Sequence, residues 1–279
     1  MPFDKKRSLT VYICVALGVF CMMYFYIPSI IRIDFTSCSF PIFLAGAITV
    51  HFFKALRLYI ILLGYGISFR QFLHIYARTT FVNLIFPFKS GEFFRGYYIG
   101  NQVNSYYNGY MITIADRFAD TCALISCVVA ACTLGYMKFS NIYVFFTLFL
   151  ILILMAYWLF EPLYDYWNHF LIIKKGTKKR LNALKALEIL KKAFLRLKSV
   201  IGGRFIILYI LSVFAWTSET VMLHSVFGGQ LGGMSIYLNE IMTDESITEN
   251  IVYVVASITV FAIIEIVALI IPKVKSVNL

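Results

Sequence analysis

The sequence contains few charged residues for its length. Asp, Glu, Lys and Arg make up 14% of the 279 residues, whereas a soluble domain carries about 25%. Hydrophobic residues make up 61%, and the mean hydropathy is +0.81. A water-soluble fold of this size has a largely wetted exterior and cannot hide so much apolar surface. The composition therefore excludes a soluble enzyme and indicates an integral membrane protein.

The sequence also lacks the patterns of a metal site and of a catalytic centre. Its six cysteines show no C-x-x-C or Cys/His spacing, and five lie in apolar runs, where cysteine behaves as a small hydrophobe. Neither a phosphate-binding glycine loop nor a nucleophile–base arrangement is legible. We expect no metal and no cofactor. Because no repeat or linker divides the chain, we expect one polytopic domain over residues 1–279.

Long apolar runs determine the predicted fold class. A transmembrane helix needs ~20 apolar residues to cross ~30 Å of hydrocarbon. The runs that meet this length are residues 9–31, 40–64, 107–136, 141–160, 204–227 and 249–271. They predict an all-α integral membrane protein with about six transmembrane helices.

Basic residues set the predicted orientation. The net charge of +11 is concentrated near both termini and in residues 65–106 and 161–203, and the latter hold ten Lys or Arg against three acidic residues. With six spans, all these segments lie on one side of the membrane, which the positive-inside rule makes the cytoplasm. We expect a multi-pass protein of the cell (inner, cytoplasmic) membrane with both termini in the cytoplasm. Anionic headgroups account for the basicity, and we expect no nucleic-acid partner.

Residues 179–201, in the basic loop, carry apolar side chains at three- and four-residue steps from Leu181 to Ile201. Lysines occupy the other faces. This pattern predicts an amphipathic helix lying in the cytoplasmic membrane interface. Two roles are open for it: a topological anchor, or a collar that gathers anionic lipids.

Charged and polar residues inside the predicted spans are costly, since a charge at mid-bilayer costs about 2.5–3.5 kcal/mol. His51, Lys54 and Arg57 are three residues apart and share one face of the second span. Asp116 and Asp120 are four residues apart and share one face of the third span. Two explanations are open, mutual neutralisation within the bundle and a polar pathway, and apolar packing would serve stability at lower cost. These residues are His51, Lys54, Arg57, Asp116, Arg117, Asp120, Glu219 and Glu265.

A break in the helical pattern occurs within residues 81–98. A helix arriving through Asn83 must stop before Pro87, and Ser90 is a good N-cap for a second helix. Seven aromatic residues in this segment indicate surroundings of lipid or protein. Since broken helices at membrane depth occur where they line a cavity, we predict a re-entrant helix pair. The alternative is a kinked interfacial loop.

The start of the second half-helix presents free N–H groups, which form a ready site for an anion such as a lipid phosphate. Glu92 opposes a phosphate electrostatically, so we expect it to pair with Arg95 or Arg57. The predicted phosphate-binding residues are Lys54, Arg57, Lys89, Ser90, Gly91 and Arg95. The predicted supporting polar network comprises His51, Asn83, Pro87, Glu92, Asp116, Arg117, Asp120, Glu219 and Glu265.

Three stretches, ALRLYIILLG, FVNLIFPFKSGEFFRGYYIG and ADRFADTCAL, resemble the membrane region of the lysylphosphatidylglycerol synthase/flippase family. The resemblance covers residues 40–135 best. It implies handling or translocation of a phosphate-bearing lipid through re-entrant helices and a cavity open to one leaflet. The residues that match the family pattern are Arg57, Asn83, Pro87, Gly91, Glu92, Arg95, Arg117 and Asp120.

The chain departs from this family in two ways. The second re-entrant element expected late in the chain is reduced to a glycine-rich stretch at 227–233, and no soluble aminoacyltransferase domain is present, so lysine transfer is not expected. The leading hypothesis is a protein that binds and flips a phosphate-bearing lipid or lipid-linked precursor in cell-envelope biogenesis. The alternatives are a membrane-embedded transferase acting on a polyprenyl- or phospho-lipid, with Asp116, Asp120 or Glu92 as base, and a non-catalytic partner of an envelope enzyme. Homo-oligomers also remain open.

The charge distribution generates a topology prediction. A single cysteine at Thr177 should react with a membrane-impermeant thiol reagent only after the cytoplasmic side is opened, whereas one at Ser235 should react from outside. Labelling of position 177 from the outside would reverse the predicted orientation.

Overall fold

The chain forms a helical bundle, described by a computed structural model over residues 5–31, 39–86, 91–133, 141–173, 178–227 and 247–272. Every regular element in these residues is a helix, which confirms the predicted all-α class. The helices are α1 (Lys5–Ile30), α2 (Ser39–Leu62), α3 (Phe69–Ile85), α4 (Gly91–Gln102), α5 (Tyr106–Thr133), α6 (Asn141–Ile173), α7 (Lys178–Ile201), α8 (Phe205–Phe227) and α9 (Ile247–Ile270).

Four helices in the described part of the chain are long and apolar enough to cross a membrane. They lie in α2, α6, α8 and α9, at Phe40–Tyr65, Thr147–Ile173, Phe205–Met222 and Val252–Ile270. The 28-residue α5 is long enough, but it carries Asp116, Arg117 and Asp120 near its middle. The described chain therefore contains several helices of membrane-spanning length and composition, while the count of six spans stays a prediction.

Helix α6 is longer than its apolar run predicts. It continues from Asn141 to Ile173, through Pro162, so that the first part of the predicted 161–203 loop is helical. Its described side chains are largely exposed, as expected for a helix at the edge of a bundle in lipid. Leucine, isoleucine and aromatic side chains, rather than a polar loop, continue past the predicted end and extend the helix.

The corner between α2 and α3 is closed by local capping. Helix α2 ends in a 3-10 turn at Leu63–Tyr65, and Gly66 follows with φ 66°, the left-handed conformation that glycine adopts without strain. The Ser68 side chain accepts a hydrogen bond from the Gln71 backbone N–H, and the Gln71 side chain accepts one from the Ser68 backbone N–H, which forms a capping box. This sharp reversal brings α3 back alongside α2.

Helices α3 and α4 form an antiparallel hairpin around the predicted break. Helix α3 ends at Ile85 and α4 begins at Gly91, while Pro87, Lys89 and Ser90 lie outside the described residues. The two arms are closely packed, since a Cβ on Gly91 would stand 2.4 Å from Asn83 Cα. The pair of half-helices is therefore present, and its re-entry into the membrane stays a prediction.

Glycines bring α4 and α5 into backbone contact. A Cβ on Gly109 would stand 2.2 Å from the Gly96 carbonyl oxygen and 2.4 Å from the Gly100 backbone nitrogen. Gly96 and Gly100 form a G-x-x-x-G pattern, which allows membrane helices to approach closely. This contact fixes the position of α4 along the axis of α5.

The centre of the bundle lies where α2, α3, α5, α8 and α9 meet. Helix α2 packs against α8 and α9, and α5 packs against α8. Leu58 and Ile61 of α2 belong to the same buried cluster as Ile112 of α5 and Leu208 of α8. Arg57 of α2 is also fully buried, so its side chain lies within the bundle.

The predicted amphipathic helix exists as α7 and packs against α5 and α6. Phe194 stacks on Phe160 with ring centroids 4.2 Å apart, and Arg196 Nε donates to Asn108 Oδ1 at 2.8 Å. Leu184, Leu187 and Leu197 are partly covered as predicted, whereas Leu181 and Leu190 are exposed. The apolar face is therefore shared between the bundle and the surroundings.

The glycine contact between α4 and α5 generates a stability prediction. Gly109→Ala should destabilise the protein by about 1–3 kcal/mol or more, because the new methyl group meets backbone atoms that cannot move aside independently. Gly64→Ala is the matched control, since a Cβ there meets nothing within 4 Å. Thermal unfolding in detergent, followed by tryptophan fluorescence, measures both. Equal midpoints would contradict the close contact.

Candidate functional site

Arg57 of α2 is completely buried and forms the centre of a polar cluster. Its Nε donates to Asp116 Oδ1 at 2.7 Å, and its Nη1 donates to Asp120 Oδ1 at 2.5 Å. Nη1 also donates to Ser212 Oγ on α8 at 2.6 Å. The two aspartates both reach the guanidinium because they are four residues apart and share one face of α5. Arg57 thereby joins three helices.

Arg95 of α4 approaches the same carboxylate from the other side. Its Nη1 lies 3.2 Å from Asp116 Oδ2 and 3.9 Å from Glu92 Oε2. The Glu92–Arg95 pairing is one of the two that the sequence suggested. Like Arg57, Arg95 is almost fully buried. Asp116 therefore carries an arginine on each of its oxygens.

Arg117 completes the set. Its Nη2 donates to Asp116 Oδ2 at 2.8 Å, and its Nη1 donates to Asp120 Oδ2 at 3.4 Å. Its Nε lies 3.3 Å from Glu92 Oε1, which also accepts a hydrogen bond from Asn83 Nδ2 at 2.9 Å. Its side chain is 30% exposed, unlike those of the other two arginines. Through Glu92 and Asn83, the network reaches the tip of the α3–α4 hairpin.

We call these six charged residues the arginine–carboxylate cluster. Its members are Arg57, Arg95, Arg117, Glu92, Asp116 and Asp120. Three guanidinium groups face three carboxylates, so the cluster is neutral as a whole. Burying a charge without a partner costs several kcal/mol, and mutual pairing offsets much of that cost. The sequence left two explanations open for these charges, mutual neutralisation and a polar pathway. The observed ion pairs show that the charges do neutralise one another.

The cluster is incompletely hydrogen-bonded. Five of its buried polar atoms, counting that of the adjoining Asn83, have no hydrogen-bond partner among the described residues: Arg57 Nη2, Arg95 Nε, Arg117 Nε, Asn83 Oδ1 and Glu92 Oε2. Buried polar atoms are nearly always paired, with protein or with ordered water. The three nitrogens are donors on cationic groups, so the cluster has unused capacity for an acceptor, above all an anionic one.

The remaining charged residues of α2 form separate contacts. Lys54 Nζ lies 3.1 Å from Glu219 Oε2 of α8, and it also lies over the Trp216 ring at 5.5 Å. His51 Nδ1 is hydrogen-bonded to the Tyr76 hydroxyl of α3 at 2.9 Å. The face of α2 predicted from three-residue spacing is therefore real, but its members have different partners.

Glu265 lies outside the cluster and joins α9 to α3. Arg78 Nε donates to Glu265 Oε1 at 2.8 Å, and His74 Nδ1 contacts Oε2. Of the predicted phosphate-binding residues, the structure thus places Arg57 and Arg95 together, Gly91 at the nearby hairpin tip, and Lys54 with its own carboxylate. Lys89 and Ser90, and Pro87 of the supporting network, lie outside the described residues.

Two features of the site were missed by sequence reasoning. The first is Ser212, which accepts a hydrogen bond from Arg57. Ser212 lies seven residues, or two helical turns, before Glu219 on α8, and this spacing could have identified it as part of the same polar face. The second is the glycine contact that brings α4 to α5, for which the G-x-x-x-G pattern at Gly96 and Gly100 was the signal.

A cavity of about 420 Å³ lies beside the cluster, between α4, α5 and α6. Glu92 and Arg117 are among its lining residues, and the rest of the lining is almost entirely apolar. No group of three or more His, Cys, Asp or Glu side chains in the described ranges is arranged to hold a metal ion.

These features define an α-helical membrane protein whose bundle encloses a set of mutually compensating charges. Residues 10–229 match the family described as the lysylphosphatidylglycerol synthase TM region. The match extends well beyond residues 40–135, where the motifs lie, and covers most of the 279 residues. The chain belongs to this family. Neither a curated protein nor a solved structure matches it.

The cluster generates a prediction about stability. Arg57→Gln should destabilise the protein by about 3–5 kcal/mol, because Asp116 and Asp120 then lose the charge that compensates them in a buried site. The control is Arg78→Gln, whose side chain is 55% exposed and whose ion pair should be worth about 0–1 kcal/mol. Thermal unfolding in detergent distinguishes the two. A similar small loss in both variants would show that Arg57 does not hold the cluster together.

Proposed function

We propose that this protein binds a phosphate-bearing lipid or lipid-linked precursor and translocates it across the cell (inner, cytoplasmic) membrane during envelope biogenesis. The observation that carries the proposal is the arginine–carboxylate cluster beside the α3–α4 hairpin, in which each guanidinium group has a buried N–H donor without a hydrogen-bond partner among the described residues. Membership of a family named for the membrane region of a phospholipid-modifying enzyme supports a lipid as the substrate class.

The chemistry of arginine supports a phosphate. The guanidinium group is planar, stays charged, and presents its donors in a fork that matches two oxygens of one phosphate. In the cluster those forks hold carboxylates, and a carboxylate offers the same pair of anionic oxygens. We infer that Glu92, Asp116 and Asp120 occupy the arginines in the absence of lipid, and that a phosphate replaces one of them.

Glu92 is the carboxylate best placed to be replaced. The shortest arginine contacts of Asp116 and Asp120 are 2.7 and 2.5 Å, whereas the Glu92 contacts with Arg95 and Arg117 are long, at 3.9 and 3.3 Å. Glu92 also lies in the first turn of α4, at the hairpin tip, where its other partner is Asn83. Exchange of Glu92 for a phosphate would therefore couple lipid binding to the position of the hairpin.

Arg57 and Lys54 have different roles in this scheme. Arg57 is fully buried and bonded to three side chains, so it positions Asp116 and Asp120 and does not contact the lipid. Lys54 is engaged by Glu219. The phosphate ligands are then Arg95 and Arg117, with the N-terminal turn of α4 at Gly91 adding backbone donors.

A re-entrant α3–α4 hairpin would supply the path. Helices that end within the membrane are tolerated where their broken backbone lines a cavity, and such breaks serve as substrate sites in transporters. A transferase mechanism has less support, since Asp116 and Asp120 are both held by guanidinium groups and are not free to accept a substrate proton.

Binding of phosphatidylglycerol to the purified protein, titrated by native mass spectrometry, tests the proposal. Arg95→Gln should weaken binding roughly ten- to a hundredfold, because a charge-assisted hydrogen bond contributes ~1.5–3 kcal/mol. Arg95→Lys should recover only part, since lysine offers a point charge. Arg78→Gln is the control, because Arg78 is 55% exposed and pairs with Glu265 outside the cluster.

The double variant Arg95→Gln with Glu92→Gln separates a binding site from a structural ion pair. If Arg95 contacts phosphate, the double variant regains thermal stability but not lipid binding. Full recovery of lipid binding would contradict the proposal. Translocation itself is measured in proteoliposomes as loss of a fluorescent phosphatidylglycerol from the leaflet exposed to dithionite, and a rate equal to that of protein-free vesicles would leave only a binding or partner role.

A further inference from the structure

The cavity between α4, α5 and α6 has an unusual composition for a space beside six charges. Most of its wall is apolar, and the two charged side chains on it, Glu92 and Arg117, form an ion pair of the cluster. The apolar wall comes from three helices and includes Phe93, Tyr110, Ile114, Phe118, Ile125 and Ile153.

We propose that this cavity binds one acyl chain of a glycerophospholipid whose phosphate contacts Arg117. The inference rests on the proposed function and adds to it where the lipid tail lies. The cavity volume of about 420 Å³ falls within the ~300–1,000 Å³ range of ligand pockets. Water is a poor occupant, because a water molecule needs two to four polar partners and the wall offers few.

The position of Arg117 connects the tail to the headgroup. Arg117 lies on the same face of α5 as Thr113, Ile114 and Thr121, which are within one turn of it and also line the cavity. The Arg117 side chain is 30% exposed, whereas Arg57 and Arg95 are almost fully buried. A phosphate at Arg117 and an acyl chain in the cavity can therefore belong to one molecule.

The outer wall of the cavity allows entry from the bilayer. Helix α6 supplies Phe149, Leu150 and Ile153, while its neighbouring residues Leu148 and Leu152 are exposed to the surroundings. An acyl chain that enters from the bilayer between α5 and α6 stays in an apolar environment throughout. The occupant with a charged group at one end and an apolar chain along the wall is a phospholipid.

Two other cavities are less suited to this role. One cavity of about 330 Å³ lies between α2, α3 and α9. His51 and Tyr59 are the polar residues in its lining, and it has no arginine. Another of about 560 Å³, between α2 and α8, is lined by Thr49, Thr217 and other residues but by no charged side chain. Neither offers a cation to a phosphate.

Photo-cross-linking tests the proposal. Phosphatidylglycerol with a diazirine in one acyl chain is mixed at a low mole fraction into proteoliposomes containing the full chain, and labelled peptides are mapped by mass spectrometry. We expect saturable labelling of Ile125 and Ile153, displaced by unlabelled phosphatidylglycerol but not by diacylglycerol. The exposed Leu152 reports bulk lipid and should be labelled without saturation. Cavity labelling that is no more saturable than that of Leu152 would overturn the proposal, as would equal displacement by diacylglycerol.

A matched pair of substitutions locates the tail. Thr121→Trp fills the cavity from an exposed position on its wall and should abolish labelling of Ile153, whereas Thr217→Trp fills the cavity between α2 and α8 and should not. Retention of Ile153 labelling in a folded Thr121→Trp variant would overturn the proposal, and folding is checked by thermal unfolding.

A short-chain lipid separates this inference from the proposed function. Dihexanoyl phosphatidylglycerol should bind Thr121→Trp nearly as well as the unsubstituted protein, while Arg95→Gln weakens it. If Thr121→Trp leaves long-chain binding unchanged and Arg95→Gln still weakens it, the tail site is wrong and the phosphate site stands. If Arg95→Gln has no effect on either lipid, the proposed function fails, and with it the tail site that depends on it.

Discussion

The contact between Arg57 and the two aspartates of α5 is the constraint on which the rest of the bundle depends. A single buried charge in a low-dielectric interior costs several kcal/mol, so α2 and α5 can be close only with these side chains paired. Ser212 extends the same constraint to α8. Three helices that are distant in sequence are thereby held in one register, and the apolar core at Leu58 and Ile112 forms around that register.

The tight approach of α4 to α5 brings the second arginine into this arrangement. Because Gly96, Gly100 and Gly109 let the two backbones touch, Arg95 reaches the oxygen of Asp116 that Arg57 leaves open. The α3–α4 hairpin then connects with the cluster through Asn83 and Glu92. A movement of the hairpin tip would thus change how the arginines are paired, which is the coupling that the proposed translocation requires between the lipid site and the hairpin.

Much of the candidate site could be predicted because it depends on local spacing. The i, i+4 spacing of Asp116 and Asp120 placed them on one face, and Pro87 required α3 to end near Ile85, as it does. The sequence also predicts that Arg57 binds a phosphate, but no local spacing could show which side chains lie against it. Its partners are 59 and 63 residues away, and no periodicity reports which helix lies opposite.

The sequence by itself therefore determined the membrane class, the all-helical architecture, the break in the hairpin and the polar faces of α2 and α5. These follow from composition and from the 3.6-residue period of a helix, which act within a few turns of one chain segment. Tertiary structure alone decided that Arg57 meets both aspartates of α5, that Lys54 has a partner of its own in Glu219, and that Arg117 borders an apolar cavity. The reason is that ion pairing and cavity shape depend on how helices pack against one another, and that packing is set by contacts between residues far apart in the chain.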